Sequence, residues 1–145
     1  QACPLAAEHF STTLDAWLLL EEIPETPACV DTADGRPATR PMAHDRLARM
    51  LCLDPGELEN EAALSLARQV ARAQEHKICR AIGRLIEPGK PAGAFISGEG
   101  EFLALRALRS LGLEDERTTS MSRLYDPAVS GAACAFALAR LASES

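Results

Sequence analysis

With 145 residues, 47% of them apolar and 25% charged, the chain has the composition of an ordinary globular protein with room for one sizeable core, which argues against disorder. A net charge of −6 with dispersed Lys and Arg argues against a nucleic-acid or anionic-membrane partner, and no apolar run approaches the length of a bilayer span. Aromatics make up only 4%, so the core must come from Ala, Leu, Ile and Val. The five cysteines (Cys3, Cys29, Cys52, Cys79 and Cys134) are odd in number and contain no C-x-x-C pair. They read as reduced thiols of a cytoplasmic protein, with Cys79 and Cys134 as small core hydrophobes on predicted helices. His9, His44 and His76 stand far apart without ligand-spaced thiols or carboxylates, which speaks against zinc. No secretion signal is visible.

Taken in order, Leu5 to Leu20 reads as a helix, with Phe10, Leu14, Trp17 and Leu18 at helical spacing. Its hydroxyl-rich middle, Ser11-Thr12-Thr13-Leu14-Asp15, is poor helix material. It is either a solvated face with a local kink or the lining of a polar cleft. Glu21 to Pro41 is an irregular connection with four prolines and Gly35. Within it, Asp31-Thr32-Ala33-Asp34-Gly35-Arg36 suits either a surface turn or a hydrated cation such as Mg²⁺ on a phosphate, and it lacks the ligand pattern of an EF-hand. A helix is expected over Ala43 to Leu53, stopped by Asp54-Pro55-Gly56. Another is expected over Glu57 to Ile86, with Asp54 and Pro55 as its cap and first residue and a break near Asn60. Gln74 interrupts the apolar stripe of that long helix and needs a partner, either in the core or on a ligand. Glu87-Pro88-Gly89 ends it.

The stretch Ala92 to Gly112 reads as a buried strand (Ala94-Phe95-Ile96), a tight turn (Ser97-Gly98-Glu99-Gly100) and a helix with Phe102, Leu105, Leu108 and Leu111 in register. Gly98 and Gly100 permit positive φ and close approach of a ligand, and the helix start offers free N–H groups. The same G-x-G also serves as a plain turn. After a charged turn at Glu114 to Arg117, Thr118 to Leu124 reads as a second strand. Asp126-Pro127 then opens a last helix through Leu141, whose small residues Val129 to Ala133 allow close packing. The fold class is α/β: a mostly helical chain with a short strand pair. Residues 1–90 form a helical section with the irregular loop 21–41, and residues 91–145 carry the strands and final helix. A two-strand sheet is poor on its own and the chain opens without Met, so it reads as a fragment.

Several stretches together resemble one family. They are Ala7-Glu8-His9-Phe10-Ser11-Thr12-Thr13-Leu14-Asp15, Thr32-Ala33-Asp34-Gly35, Arg46-Leu47-Ala48-Arg49-Met50, Gln74, Gly98-Glu99-Gly100-Glu101-Phe102-Leu103 and the small-residue final helix. In this order they resemble the C-terminal half of hydantoinase/oxoprolinase-like proteins linked to tetrahydromethanopterin-dependent C1 transfer, whose archaeal members are methanofuran-biosynthesis enzymes. The resemblance implies an actin/hexokinase/Hsp70-like ATPase fold, with residues 1–90 facing a cleft and the phosphate loops in a missing N-terminal half. The turn Ile96 to Gly100 looks like the adenosine-side position of such folds. The chain departs from the family at Trp17-Leu18-Leu19, where relatives tend to carry Tyr and Arg. It departs again at Gly-Glu-Gly-Glu, where Gly-Leu-Gly is commoner.

What the resemblance implies is a transferase in methanofuran/C1-carrier biosynthesis, displacing diphosphate from an aminomethylfuran diphosphate by a phenolic tyramine derivative. Asp15 and Asp34 are then the candidate catalytic residues, and Asp31 and Asp34 the candidate Mg²⁺ contacts. Thr12, Thr13, Thr32, Gly98, Glu99 and Gly100 are the candidate substrate contacts. Replacing Asp34 by Ala is expected to cut activity without moving the melting temperature, and the isolated chain is expected to be inert. Alternative readings are an ATP-dependent amidohydrolase and a non-catalytic helical interaction module. The expected partners are a phosphorylated small molecule and the missing half, with a homo-oligomer compatible with the sequence.

Overall fold

The computed structural model describes residues 8–86, 91–113 and 115–144. The expected helix start at Leu5, the stop at Glu87-Pro88-Gly89 and Glu114 lie outside them. The architecture is mixed α/β: mostly helical, with one two-stranded parallel sheet. The chain divides into two compact units, residues 1–74 and 75–145. No described helix is long and apolar enough to cross a membrane.

In the first unit, helix α1 spans Thr13–Leu19, shorter than the expected Leu5 to Leu20. The hydroxyl-rich stretch is its beginning rather than its middle. Thr12 is extended (φ −122°, ψ 172°), and the Asp15 carboxylate folds back to accept the Thr12 N–H at 3.0 Å. A short polar side chain satisfying an orphan amide starts a helix where it would weaken an interior. Helix α2 spans Arg40–Met50, displaced toward the N-terminus from the expected Ala43 to Leu53. Glu25 accepts the Arg40 backbone N–H at 2.6 Å, and Pro41 sits in the first turn, where its missing donor costs nothing.

Helix α2 stops before Asp54-Pro55-Gly56 because Cys52 turns left-handed (φ 58°). Leu53 N–H then reaches Ala48 O and Cys52 N–H reaches Arg49 O, a Schellman ending. Helix α1 ends in the same way, with Glu21 at φ 58° and Glu22 N–H on Trp17 O. Asp54 and Pro55 do not open the long helix. Glu57 caps the Asp54 amide in a separate turn, and helix α3 spans Asn60–Ile86 unbroken.

Buried apolar residues hold the first unit together: Leu47, Ala48, Leu58 and Ala63 form one cluster, and Leu18, Ala38 and Ala43 another. Alanines at the contacts let helices approach closely, as the scarcity of aromatics requires. Gln74 is a satisfied core residue: its Oε1 accepts the Trp17 indole N–H at 2.7 Å.

In the second unit, strand β1 (Ala94–Ile96) pairs in parallel with β2 (Thr118–Ser120), with Ile96 opposite Ser120. The crossover is helix α4, Glu101–Ser110. Its buried face is Leu103, Ala107 and Leu108 rather than the full Phe102–Leu105–Leu108–Leu111 stripe. Ile96, Leu108 and Leu113 form the core of this unit. The second strand is shorter than expected, because the Ser120 hydroxyl accepts the Arg123 N–H and starts helix α5, Met121–Leu124. The single last helix is two: α6 (Pro127–Gly131), capped by Asp126 on Val129 N–H at 2.8 Å, and α7 (Ala133–Ser143). Cys29, Cys52, Cys79 and Cys134 are all free thiols. Cys79 is half-buried, whereas Cys134 is exposed and is not the core residue expected from its apolar neighbours.

Candidate functional site

Two polar networks stand out, one in each unit. In the first unit, three aspartates and three arginines interlock. Arg46, on α2, is completely buried and donates from Nε to Asp15 Oδ1 at 2.8 Å, with its Nη2 2.6 Å from the same oxygen. Its Nη1 reaches Asp34 Oδ1 at 3.0 Å. Asp15, also buried, accepts on its other oxygen from the Ser11 hydroxyl at 2.8 Å and from the Thr12 amide.

Asp34 is the hub. Beyond Arg46, its Oδ2 accepts from Arg36 Nε at 2.7 Å and Arg49 Nη1 at 3.0 Å, and Arg36 also reaches Asp45 at 3.0 Å. Thr32 closes the turn by donating to Arg36 O at 2.7 Å. Burial pushes the Asp34 carboxyl upward in pKa, but the Arg36 side chain and backbone and the Arg46 guanidinium outweigh it and hold the group well below the ordinary carboxylate range. The Arg36 and Arg49 side chains are each about a third exposed (33% and 36%), but Arg36 commits Nε and Nη1 to aspartates and its Nη2 is buried without a partner.

In the second unit the hub is Glu101, the first residue of α4. Its Oε1 accepts from the Ser130 hydroxyl and from the Ser122 amide at 3.0 Å. Its Oε2 accepts from the Ser122 hydroxyl at 2.7 Å and from the Ser120 hydroxyl. Ser130 is buried and in turn accepts the Gly98 N–H at 2.8 Å. Burial raises the Glu101 pKa, but the hydroxyls of Ser120, Ser130 and Ser122 outweigh it and bring the group from 4.5 to about 2. A cavity of about 230 Å³ opens beside it, at the C-terminal ends of the parallel strands, where α/β folds commonly seat ligands. Phe102 and Leu105, two residues of the expected α4 core stripe, form part of its wall together with Ile96.

Of the residues singled out by sequence, Asp15 and Asp34 meet on one guanidinium, with Thr12 and Thr32 beside them. Thr13 and Asp31 are exposed and outside that network. Gly98 adopts positive φ (98°), but Gly100 does not: at φ −87° it is the N-cap of α4. Glu99 is exposed. Both Asp34 oxygens are engaged by guanidinium groups, and among the described residues no three His, Cys, Asp or Glu side chains gather as a metal site. The Asp34 carboxylate is therefore spent on arginines rather than left free for a cation. The arginines that organise the first network and the serines that organise the second were not assigned from sequence. The spacing of Arg46 and Arg49, one helical turn apart on α2, was visible in the sequence, but their aspartate partners were not.

No family model matches the chain. It is similar to the (4-{4-[2-(gamma-L-glutamylamino)ethyl]phenoxymethyl}furan-2-yl)methanamine synthase of Methanococcus vannielii, with 26% identity over 138 residues. The match covers 94% of this chain and 62% of that relative, so the chain spans less than two thirds of the relative's length.

Proposed function

We propose that the chain is part of a transferase-type synthase in methanofuran assembly. The phenol oxygen of a γ-glutamyl tyramine attacks the methylene carbon of an aminomethylfuran diphosphate. A carbon–oxygen bond forms, the bond to diphosphate breaks, diphosphate leaves with the electron pair, and the phenol proton is released. The observation that carries this reading is the match along nearly the whole chain to a synthase whose product is named as an aryloxymethyl furan amine.

The aspartate–arginine network supports it. The Arg49 side chain is partly exposed, and its planar guanidinium suits diphosphate oxygens. Asp15 and Asp34 act as positioning residues that hold the arginines. Mg²⁺ belongs to the diphosphate as its counter-ion rather than to a protein carboxylate cage.

The test is release of diphosphate by the protein bearing this chain, followed by phosphorus NMR with both substrates and Mg²⁺. Release should require both substrates, and Arg49→Ala should raise KM for the furan diphosphate by about tenfold, the loss expected for one charge-assisted contact. Consumption of ATP with no diphosphate released from the furan would instead indicate the amidohydrolase reading.

A further inference from the structure

The cavity beside Glu101 is not used by the arginine network, and its lining carries opposite charges. All four hydrogen bonds to the Glu101 carboxylate come from neutral donors, three serine hydroxyls and one amide. Ser120 Oγ also accepts the Arg123 N–H and lies 2.9 Å from Ser122 Oγ, so the serine oxygens are largely occupied, and the charge of the Glu101 carboxylate is left un-neutralised by these neutral donors. That corner is therefore anionic, suited to an ammonium. The same cavity is lined by the exposed Arg123, a fixed cation with several donors, suited to a carboxylate. Phe102 and Leu105 supply an apolar wall that can cover a short methylene stem. A simple anion would meet Glu101, and a simple amine would leave Arg123 unused. An α-amino acid, with ammonium and carboxylate on one carbon, satisfies both and is small enough for about 230 Å³.

We propose that this cavity is the subsite for an α-amino-acid zwitterion, the free end of the γ-glutamyl group on the phenolic substrate. This rests on the substrate reading given above. The experiment is calorimetric titration of the protein with γ-glutamyl tyramine, with its α-methyl ester and with tyramine. The free acid should bind at least about tenfold more tightly than either of the others. Arg123→Ala should bring the acid down to the level of tyramine while leaving tyramine binding unchanged. Equal binding of acid and ester, or a preference that survives Arg123→Ala, would overturn the subsite. The ester comparison needs no variant and so does not depend on folding of the mutant. If the preference is present but no diphosphate is released in turnover, the transfer reading falls and the subsite stands; release without the preference removes the subsite alone.

Discussion

At the scale of single residues, the strongest constraint is the buried Asp15–Arg46 pair. Removing one partner from a buried ion pair leaves an uncompensated charge, which costs far more than the pair itself contributes. Arg46→Met should therefore lower stability by about 3–5 kcal/mol in chemical denaturation. Asp34→Asn should cost about 1–3 kcal/mol, since it weakens acceptors for three guanidiniums. The exposed Asp31→Ala should stay within about 0.5 kcal/mol. This revises the sequence-based expectation that Asp34 is silent in melting: a hub of three ion pairs is structural whatever else it does. Asp15 and Asp34 were legible as polar residues in awkward places. Their partner was not, because Arg46 lies 31 residues from Asp15 and no local spacing encodes that pairing. Glu101 carries a pH signature. Its folded pKa is depressed, so its stabilisation is complete above about pH 4.5 and is lost as pH falls toward 2. The melting temperature should drop across that window, and Glu101→Gln should flatten the drop while lowering the plateau at neutral pH.

At the scale of elements, the apolar periodicity located helices but not their ends. Ends are set by caps, and here the caps use unexpected residues. Thr12 with Asp15, and Ser120 with Arg123, begin helices where polar residues read as a helix interior or a strand. Cys52 ends α2 in a left-handed conformation usually reserved for glycine. An L-residue there pays about 1–2 kcal/mol, partly offset by the lower chain entropy of a non-glycine. Cys52→Gly should accordingly raise stability by about 0.5–1 kcal/mol, measurable as a shifted denaturation midpoint. The opposite is expected at Gly93, just before β1. A Cβ there would stand 2.9 Å from the Arg117 carbonyl oxygen, a backbone atom that cannot move without shifting β2. Gly93→Ala should cost about 1–3 kcal/mol and loosen the strand pair, visible as faster amide exchange in β1 and β2.

At the scale of the whole molecule, the mixed α/β class with one parallel strand pair was readable from a short apolar run, a glycine turn and an amphipathic helix in succession. What could not be read was which apolar face remains open. Phe95, Leu138 and Leu141 are 61%, 69% and 64% exposed, and Phe95 and Leu141 line an apolar groove with Tyr125 and Phe136. Contiguous exposed apolar surface of this kind promotes association. The chain should bind a hydrophobic dye, and replacing both Leu138 and Leu141 by Glu should reduce that binding while leaving the melting temperature nearly unchanged. Periodicity marks such residues as core because it registers amphipathicity, not whether a partner surface is present.

The Glu101 hub has a further consequence in polymer terms. One carboxylate ties its own helix start to residues 19, 21 and 29 positions along the chain. Closure entropy grows only logarithmically with loop length, so the first of these ties carries nearly the whole cost and the others follow almost free. The carboxylate therefore behaves as a reversible cross-link over residues 101–130, one that a single proton opens. Acid should release the three ties together rather than one by one, so that β2, α5 and α6 loosen as one cooperative segment.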